Sequence, residues 1–396
     1  MNFKDNPEEA AFRAEVREFV EKEISQTVKE GGDGEAGLYG RPAQERLRTV
    51  REKLAKRGWI APAWPKEYGG ASMTVMQQFI MNEEFAENRV PPVGGMGVSM
   101  VGPTLITHGN DAQKKEHLSA ILSGATHWCQ GFSEPGSGSD LASLQTRAVR
   151  DGDDFVINGQ KIWTTGAHLA NWMFMMARTD PEAPKHKGIS YFLVDMKSPG
   201  VEVRPLINLA NQEMFNEVFF QDVRVPAKNV VGELNRGWYV GTTTLDFERS
   251  SIGSAVGLKH TLNELVKFAR ANATTGVSRT GYLASVKAEL ADRFIETLVA
   301  RMMSYRVVTM QAKGLIPNHE ASMCKLFTSE MGQKIAALGL KMSGMYGMVV
   351  GGHPTYAPAG RYGVGYLAAV SSTIAGGTSE IQRNIMAQRG LGLPRD

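Results

Sequence analysis

The chain has 396 residues, 42% of them hydrophobic and 21% charged, which suits two or three packed domains and argues against disorder. Forty-four basic against forty-one acidic side chains leave a net charge of +3, so the balance gives no reason to propose a nucleic-acid partner. Two cysteines, Cys129 and Cys324, are too few for a disulfide framework or a thiolate zinc site.

Helical spacing of Ala11, Phe12, Val16, Phe19 and Val20 predicts a helix over 7–30, and similar patterns recur at about 43–58, 73–90 and 112–123. From about residue 126 the pattern changes. Asp151-Gly-Asp-Asp reads as a tight turn, and Asn158-Gly159 between Phe155-Val-Ile157 and Lys161-Ile-Trp163 reads as a hairpin turn. Short runs at 172–177, 189–194, 201–203 and 218–225 complete a small β-barrel or sandwich. After Gly232 the pattern is helical again, with long amphipathic stretches at about 237–272, 282–313, 318–342 and 366–390 that predict a bundle. The fold class expected is α+β: an N-terminal helical domain over 1–125, a central β-domain over 126–235 and a C-terminal four-helix bundle over 236–396.

Four motifs stand out. Cys129-Gln-Gly-Phe-Ser-Glu-Pro-Gly-Ser-Gly-Ser-Asp140 is a Gly/Ser loop whose amides and hydroxyls suit an anion such as a pyrophosphate, although an ordinary turn has the same composition. It is neither a Rossmann nor a Walker loop. Lys161-Ile-Trp-Thr-Thr-Gly166 places a flat aromatic beside two hydroxyls, suited either to a planar cofactor or to a core position. Leu245-Asp-Phe-Glu-Arg249 reads as the opening of a long helix, where Glu248 is either a general base or an acid complementing the helix dipole. Thr373-Ile-Ala-Gly-Gly-Thr-Ser-Glu-Ile-Gln-Arg383 sets a Gly-Gly-Thr-Ser turn before a last helix, as a cap or as an anion-binding edge. Eight histidines without an i, i+4 pair support no metal site. The polar N-terminus shows no leader and no window approaches a membrane span, so the expectation is a soluble, cytoplasmic protein with no membrane partner.

In this order, and with Val218-Phe-Phe-Gln-Asp-Val-Arg-Val-Pro226 and Asn229-Val-Val-Gly-Glu233 between them, the motifs resemble the acyl-CoA dehydrogenase family over nearly the whole chain. The resemblance implies FAD as cofactor and α,β-dehydrogenation of an acyl-CoA to a trans-2-enoyl-CoA. It puts Gln130, Phe132 and Ser133 beside the flavin ring and Ser139 near the pyrophosphate or the thioester. Trp163 would pack on the flavin, and Thr165 would bond near its reactive nitrogen edge. Thr378 and Glu380 would border the ribityl–pyrophosphate region, the Gly376 amide would meet the thioester oxygen, and Asp246 and Arg249 would contact pantetheine or position the base.

Many family members carry the catalytic glutamate just before the Gly-Thr of the last motif, where this chain has Gly376. Others, including isovaleryl- and long-chain-type enzymes, carry it beside the helix arginine, which here is Glu248. The resemblance therefore assigns the base to Glu248 and suggests a branched or bulky acyl group. Two family patterns are missing: Arg-x-x-Phe-Gly is replaced by Ala273-Thr-Thr-Gly-Val-Ser-Arg-Thr-Gly281, and Gln-x-x-Gly-Gly by Lys341-Met-Ser-Gly-Met-Tyr-Gly347. Such losses resemble a subgroup acting on steroid side chains or dicarboxylic acyl groups, some of which pair unlike subunits. The expected partners are an electron-transfer flavoprotein and either a homotetramer or an α2β2 hetero-oligomer. Two alternatives stay open: other flavin chemistry on the same fold (oxidase, monooxygenase or desulfinase), and a non-catalytic subunit.

Overall fold

The computed structural model describes residues 4–25, 41–247, 252–272, 280–349 and 357–394. They fall into two compact units, one from residues 1–32, 74–91 and 250–396, the other from 33–73 and 92–249. Along the chain the order is helical, sheet, helical.

The second unit is built on eight strands: β1 (Trp128–Gly131), β2 (Arg147–Asp151), β3 (Asp154–Lys161), β4 (Trp172–Arg178), β5 (Ile189–Asp195), β6 (Val201–Leu206), β7 (Phe215–Pro226) and β8 (Val230–Val231). Their path is β6-β7-β3-β2-β4-β5-β8, with β1 pairing parallel to β4. A single pair, Arg147–Arg178, joins β2 to β4, so the sheet is nearly two halves. One apolar core takes side chains from both: Ala148, Phe155, Ile157, Val218 and Val223 from one half, Cys129, Met173, Met175, Phe192 and Val194 from the other. The opposite face of β4 and β5 is buried too, because α4 (Gly102–His108) and α6 (Gly237–Phe247) belong to this unit and α6 packs on β5. There Tyr191 Oη, Thr244 Oγ1 and Thr104 Oγ1 form a fully buried hydroxyl chain of 3.3 and 2.8 Å, which satisfies three polar groups and fixes the register of α6. Two more helices, α2 (Arg41–Lys56) and α5 (Asp111–Ser123), complete the unit, and α5 starts on an Asn110/Gln113 capping box.

The first unit is helical: α1 (Pro7–Phe19), α3 (Val75–Glu87), α7 (Ile252–Asn272), α8 (Thr280–Ala312), α9 (Asn318–Ser343), α10 (Ala357–Ala369) and α11 (Ser379–Ile385). Capping boxes start α1 (Asn6, Glu9) and α3 (Thr74, Gln77). Leu265, Ala300, Met331, Ile335, Leu338 and Tyr362 form the bundle core of α7 to α10. Glu83 on α3 is a buried hub: its carboxylate accepts from Arg13 of α1 at 2.7 Å and from Arg301 (2.8 Å) and Tyr305 (3.1 Å) of α8. On α8, Phe294, Ile295, Leu298, Val299 and Met302 form an exposed apolar stripe. Among the described residues no helix is long and apolar enough to cross a membrane.

Several expected boundaries differ. Asn158-Gly159 is no hairpin turn; both residues lie inside β3, and the β2–β3 turn is the Asp151–Asp154 corner. At 158–159 the β3–β7 register shifts in a bulge. Asn158 Oδ1 accepts the Asp222 amide (2.9 Å) and its Nδ2 donates to the Asp222 carboxylate (3.0 Å), so the bulge closes across strands. A Cβ on Gly159 would stand 2.5 Å from Thr146 Oγ1, which explains the glycine. Strands β1 and β2 have no counterpart among the runs read from the sequence. The stretch 366–390 is interrupted at 374–378. Leu245-Asp-Phe does not open a helix: these residues lie inside α6, which already begins at Gly237, and the Glu248-Arg249 that follows lies outside the described residues.

Candidate active site

β1 ends at Gly131, where a Cβ would stand 2.3 Å from Met173 Sδ, so only glycine lets β1 lie this close to β4. Phe132 follows, buried edge-on against Phe174 and Tyr191 at ring separations of 5.8 and 6.1 Å. The Gly/Ser loop then turns on itself. Glu134 and Ser137 exchange both backbone hydrogen bonds, and Ser137 Oγ donates to the Asp140 carbonyl at 2.8 Å. Gly136, Gly138 and Ser139 face outward. Neither glycine has a positive φ, and a Cβ on either would meet nothing within 4 Å. Nothing in the chain itself calls for glycine there. The loop also borders a cleft of about 460 Å3 lined by Pro135, Gly136, Ser143, Gln145 and Gln160 among others.

The second stretch leaves β3 at Lys161. Ile162 donates its amide to the Ser133 carbonyl at 3.0 Å, which sets this stretch alongside the Gly/Ser loop. Trp163 takes a left-handed φ of 59° and is 60% exposed, touching Phe215 edge-on. A large aromatic in that conformation is strained and presents an open ring face. Thr164 is pinned at both backbone atoms by Asn216: its amide donates to the Asn216 carbonyl, and its carbonyl accepts from Asn216 Nδ2.

Two buried polar atoms lack a partner in this neighbourhood, Gln130 Nε2 and Thr164 Oγ1. A buried donor or hydroxyl left unpaired costs about 1–3 kcal/mol, so such atoms point to a ligand with matching groups. An exposed aromatic face, a loop whose glycines the chain does not need, and two unpaired polar atoms fit a flat, heteroatom-rich cofactor with an anionic tail.

Of the expected site residues, Gln130, Phe132, Ser133, Trp163 and Thr165 are thus brought together in one unit, with Ser139 on the same loop. Gly376, Thr378 and Glu380 belong to the other unit. There Gly376 and Gly377 have φ of 63° and 88°. Gln382 Nε2 donates to both their carbonyls, and Lys325 Nζ to that of Gly377 (2.6 Å). Thr378 caps α11, and Glu380 in its first turn has its carboxyl held below the usual range by its own amide and the Thr378 hydroxyl. Buried Ser379 Oγ is unpaired. Glu248 and Arg249 lie outside the described residues.

Motif reading missed two features. One is Thr164, whose hydroxyl is the orphan, whereas the family resemblance points to Thr165. The other is the pair Glu134–Lys161. Lys161 Nζ, fully buried, donates to Glu134 Oε1 at 2.8 Å and to the Phe132 carbonyl at 3.1 Å. Burial pulls the lysine down to about 8 against the attraction of Glu134. Burial raises the Glu134 carboxyl, but the Lys161 charge and the amides it accepts outweigh this and hold it below the usual value.

Sequence profiles of the acyl-CoA dehydrogenase N-terminal, middle and C-terminal domains match residues 6–125, 129–223 and 235–391. The chain is 36% identical over 392 residues to acyl-CoA dehydrogenase IpdE1 of Mycobacterium tuberculosis, covering 97% of this chain and 98% of that one. Among solved structures it resembles the Tcur3481–Tcur3483 steroid ACAD (TM-score 0.84, 32% identity, 100% of both chains). It also resembles the ChsE4–ChsE5 complex from Mycobacterium tuberculosis (TM-score 0.82, 32% identity, 100% of both chains).

Proposed function

Because this chain belongs to the acyl-CoA dehydrogenase family, we propose that it desaturates an acyl-CoA at the α,β-carbons to the trans-2-enoyl-CoA, with Glu248 as the base. Members of the family are FAD-dependent flavoproteins. Gln130, Phe132, Ser133, Trp163 and Thr165 would hold the ring and Ser139 the pyrophosphate, with Thr378 and Glu380 on the ribityl side. FAD, when bound, supplies the acceptor for the β-hydride. The α-proton of a thioester is weakly acidic, so its removal needs a carboxylate at the α-carbon and hydrogen-bond donors at the carbonyl oxygen, where negative charge develops. Glu248 takes the proton. The Gly376 amide donates to the oxygen from a backbone held rigid through its own carbonyls by Gln382 and Lys325.

The observation that carries this reading is the joining of the Gly/Ser loop to the Trp163 stretch, with Gln130 Nε2 and Thr164 Oγ1 unpaired beside them. Asp246 and Arg249 would position pantetheine or the base. In the decisive experiment, anaerobic acyl-CoA bleaches the yellow protein, and Glu248→Gln stays yellow without bleaching. Turnover retained in that variant removes Glu248 as the base. A panel from short branched to steroid-sized thioesters identifies the acyl group, which we place among bulky ones.

The α8 stripe supports a further part of the proposal, assembly into a homotetramer or an α2β2 hetero-oligomer. Met345 and Met348, 89% and 78% exposed where the family pattern is replaced, favour unlike subunits, as does the likeness to the ChsE4–ChsE5 complex. Electrons would pass to an electron-transfer flavoprotein in the cytoplasm.

A further inference from the structure

Within the sheet unit the proposed cofactor-facing residues come from two stretches of chain, and the ion pair between Glu134 and Lys161, which none of the roles above uses, ties them together. Lys161 Nζ reaches back from the end of β3 to the Phe132 carbonyl and to Glu134. The same carboxylate accepts the amides of Gln145 (2.6 Å) and Thr146 (3.0 Å), where the loop returns to β2. Two side chains therefore hold the loop's start, its return and the strand that leads to Trp163. All these atoms sit behind the outward-facing Gly136, Gly138 and Ser139.

We propose that Glu134 and Lys161 are positioning residues for FAD: their ion pair closes the base of the 132–146 loop onto the end of β3, so that the loop and the Trp163–Thr165 stretch are aligned before the cofactor binds. The inference rests on the flavin part of the reading above and not on the base. The pair sums to zero charge, so it offers an anionic cofactor little direct attraction; its effect runs through directed hydrogen bonds. An apolar pair of the same volume could fill the space but could not hold the Phe132 carbonyl or the two amides. Ordering a loop in advance raises affinity because binding then need not supply that order.

The test uses the full-length protein, with FAD affinity from flavin fluorescence, flavin environment from visible circular dichroism, and the unfolding midpoint of FAD-stripped protein. Lys161→Met leaves a buried carboxylate without its partner and should weaken FAD by at least about tenfold, the worth of a charged hydrogen bond. That variant alone is ambiguous, because it also destabilises the unit. The double variant Lys161→Met/Glu134→Gln removes the charge imbalance and should restore most of the unfolding midpoint. FAD should nevertheless stay about tenfold weaker, with an altered dichroism spectrum. Wild-type affinity and spectrum in the double variant would overturn the proposal and leave the pair as charge balance only. A loss of affinity in both variants that merely follows the loss of midpoint would also overturn it. No acyl-CoA enters these measurements, so a failure of dehydrogenation leaves them intact, and a failure here leaves Glu248 untouched.

Discussion

Adding one methyl group to Gly138 separates what the chain needs from what its ligand needs. The residue is exposed, has no positive φ, and its Cβ would meet nothing within 4 Å. Gly138→Ala should therefore leave the FAD-free fold intact and even stabilise it by about 0.4–1 kcal/mol, since alanine restricts the unfolded chain. If the loop backbone lies against the cofactor, the same methyl group intrudes on a packed contact, a misfit of about 1–3 kcal/mol. That corresponds to roughly 5- to 150-fold weaker binding. Gly131→Ala is the opposite case: its Cβ falls 2.3 Å from Met173 Sδ and 2.9 Å from Met175 Cβ, so the FAD-free protein itself should lose about 1–3 kcal/mol. Thermal unfolding of stripped protein and fluorescence titration with FAD read the two effects apart. Unchanged FAD affinity in Gly138→Ala would refute a loop shaped for the cofactor, whatever its effect on stability.

Thr164→Val keeps the shape and removes the unpaired hydroxyl, so stripped protein should gain about 1 kcal/mol while FAD affinity falls; a parallel gain or loss in both would mean that Oγ1 never meets the cofactor. Glu83→Gln should cost about 3 kcal/mol in urea unfolding, at the low end for breaking a buried pair because Arg301 is 40% exposed and can turn to water. Arg17→Ala, which removes a 58% exposed partner of Glu84, should cost under about 1 kcal/mol, and equal effects from the two would contradict the hub role given to Glu83.

The helical–sheet–helical order was legible because each part keeps its own hydrophobic period over long stretches. What failed depended on residues far apart in the chain. Asn158-Gly159 has the local signature of a hairpin turn, but its bulge is decided by Asp222, 64 positions away. Lys161 and Glu134 are 27 positions apart, and each belongs to a motif that could be read without the other. No periodicity marks a lysine as buried, since the observation that matters is which carboxylate faces it.

The same contrast sorts the glycines. Gly131, Gly159 and Gly237 are accounted for by neighbours of their own chain, since a Cβ on each would fall within 2.5 Å of a Met173, Thr146 or Ser190–Tyr191 atom. Gly136 and Gly138, on a loop otherwise held from behind by Glu134 and Ser137, have no such neighbour. The unpaired Gln130 Nε2 and Thr164 Oγ1 and the strained, exposed Trp163 also lack an internal explanation, and they flank that same loop. On these two short stretches, tied by one ion pair, several residues that folding alone does not explain thus stand side by side, which is the pattern expected where a chain is shaped against something other than itself.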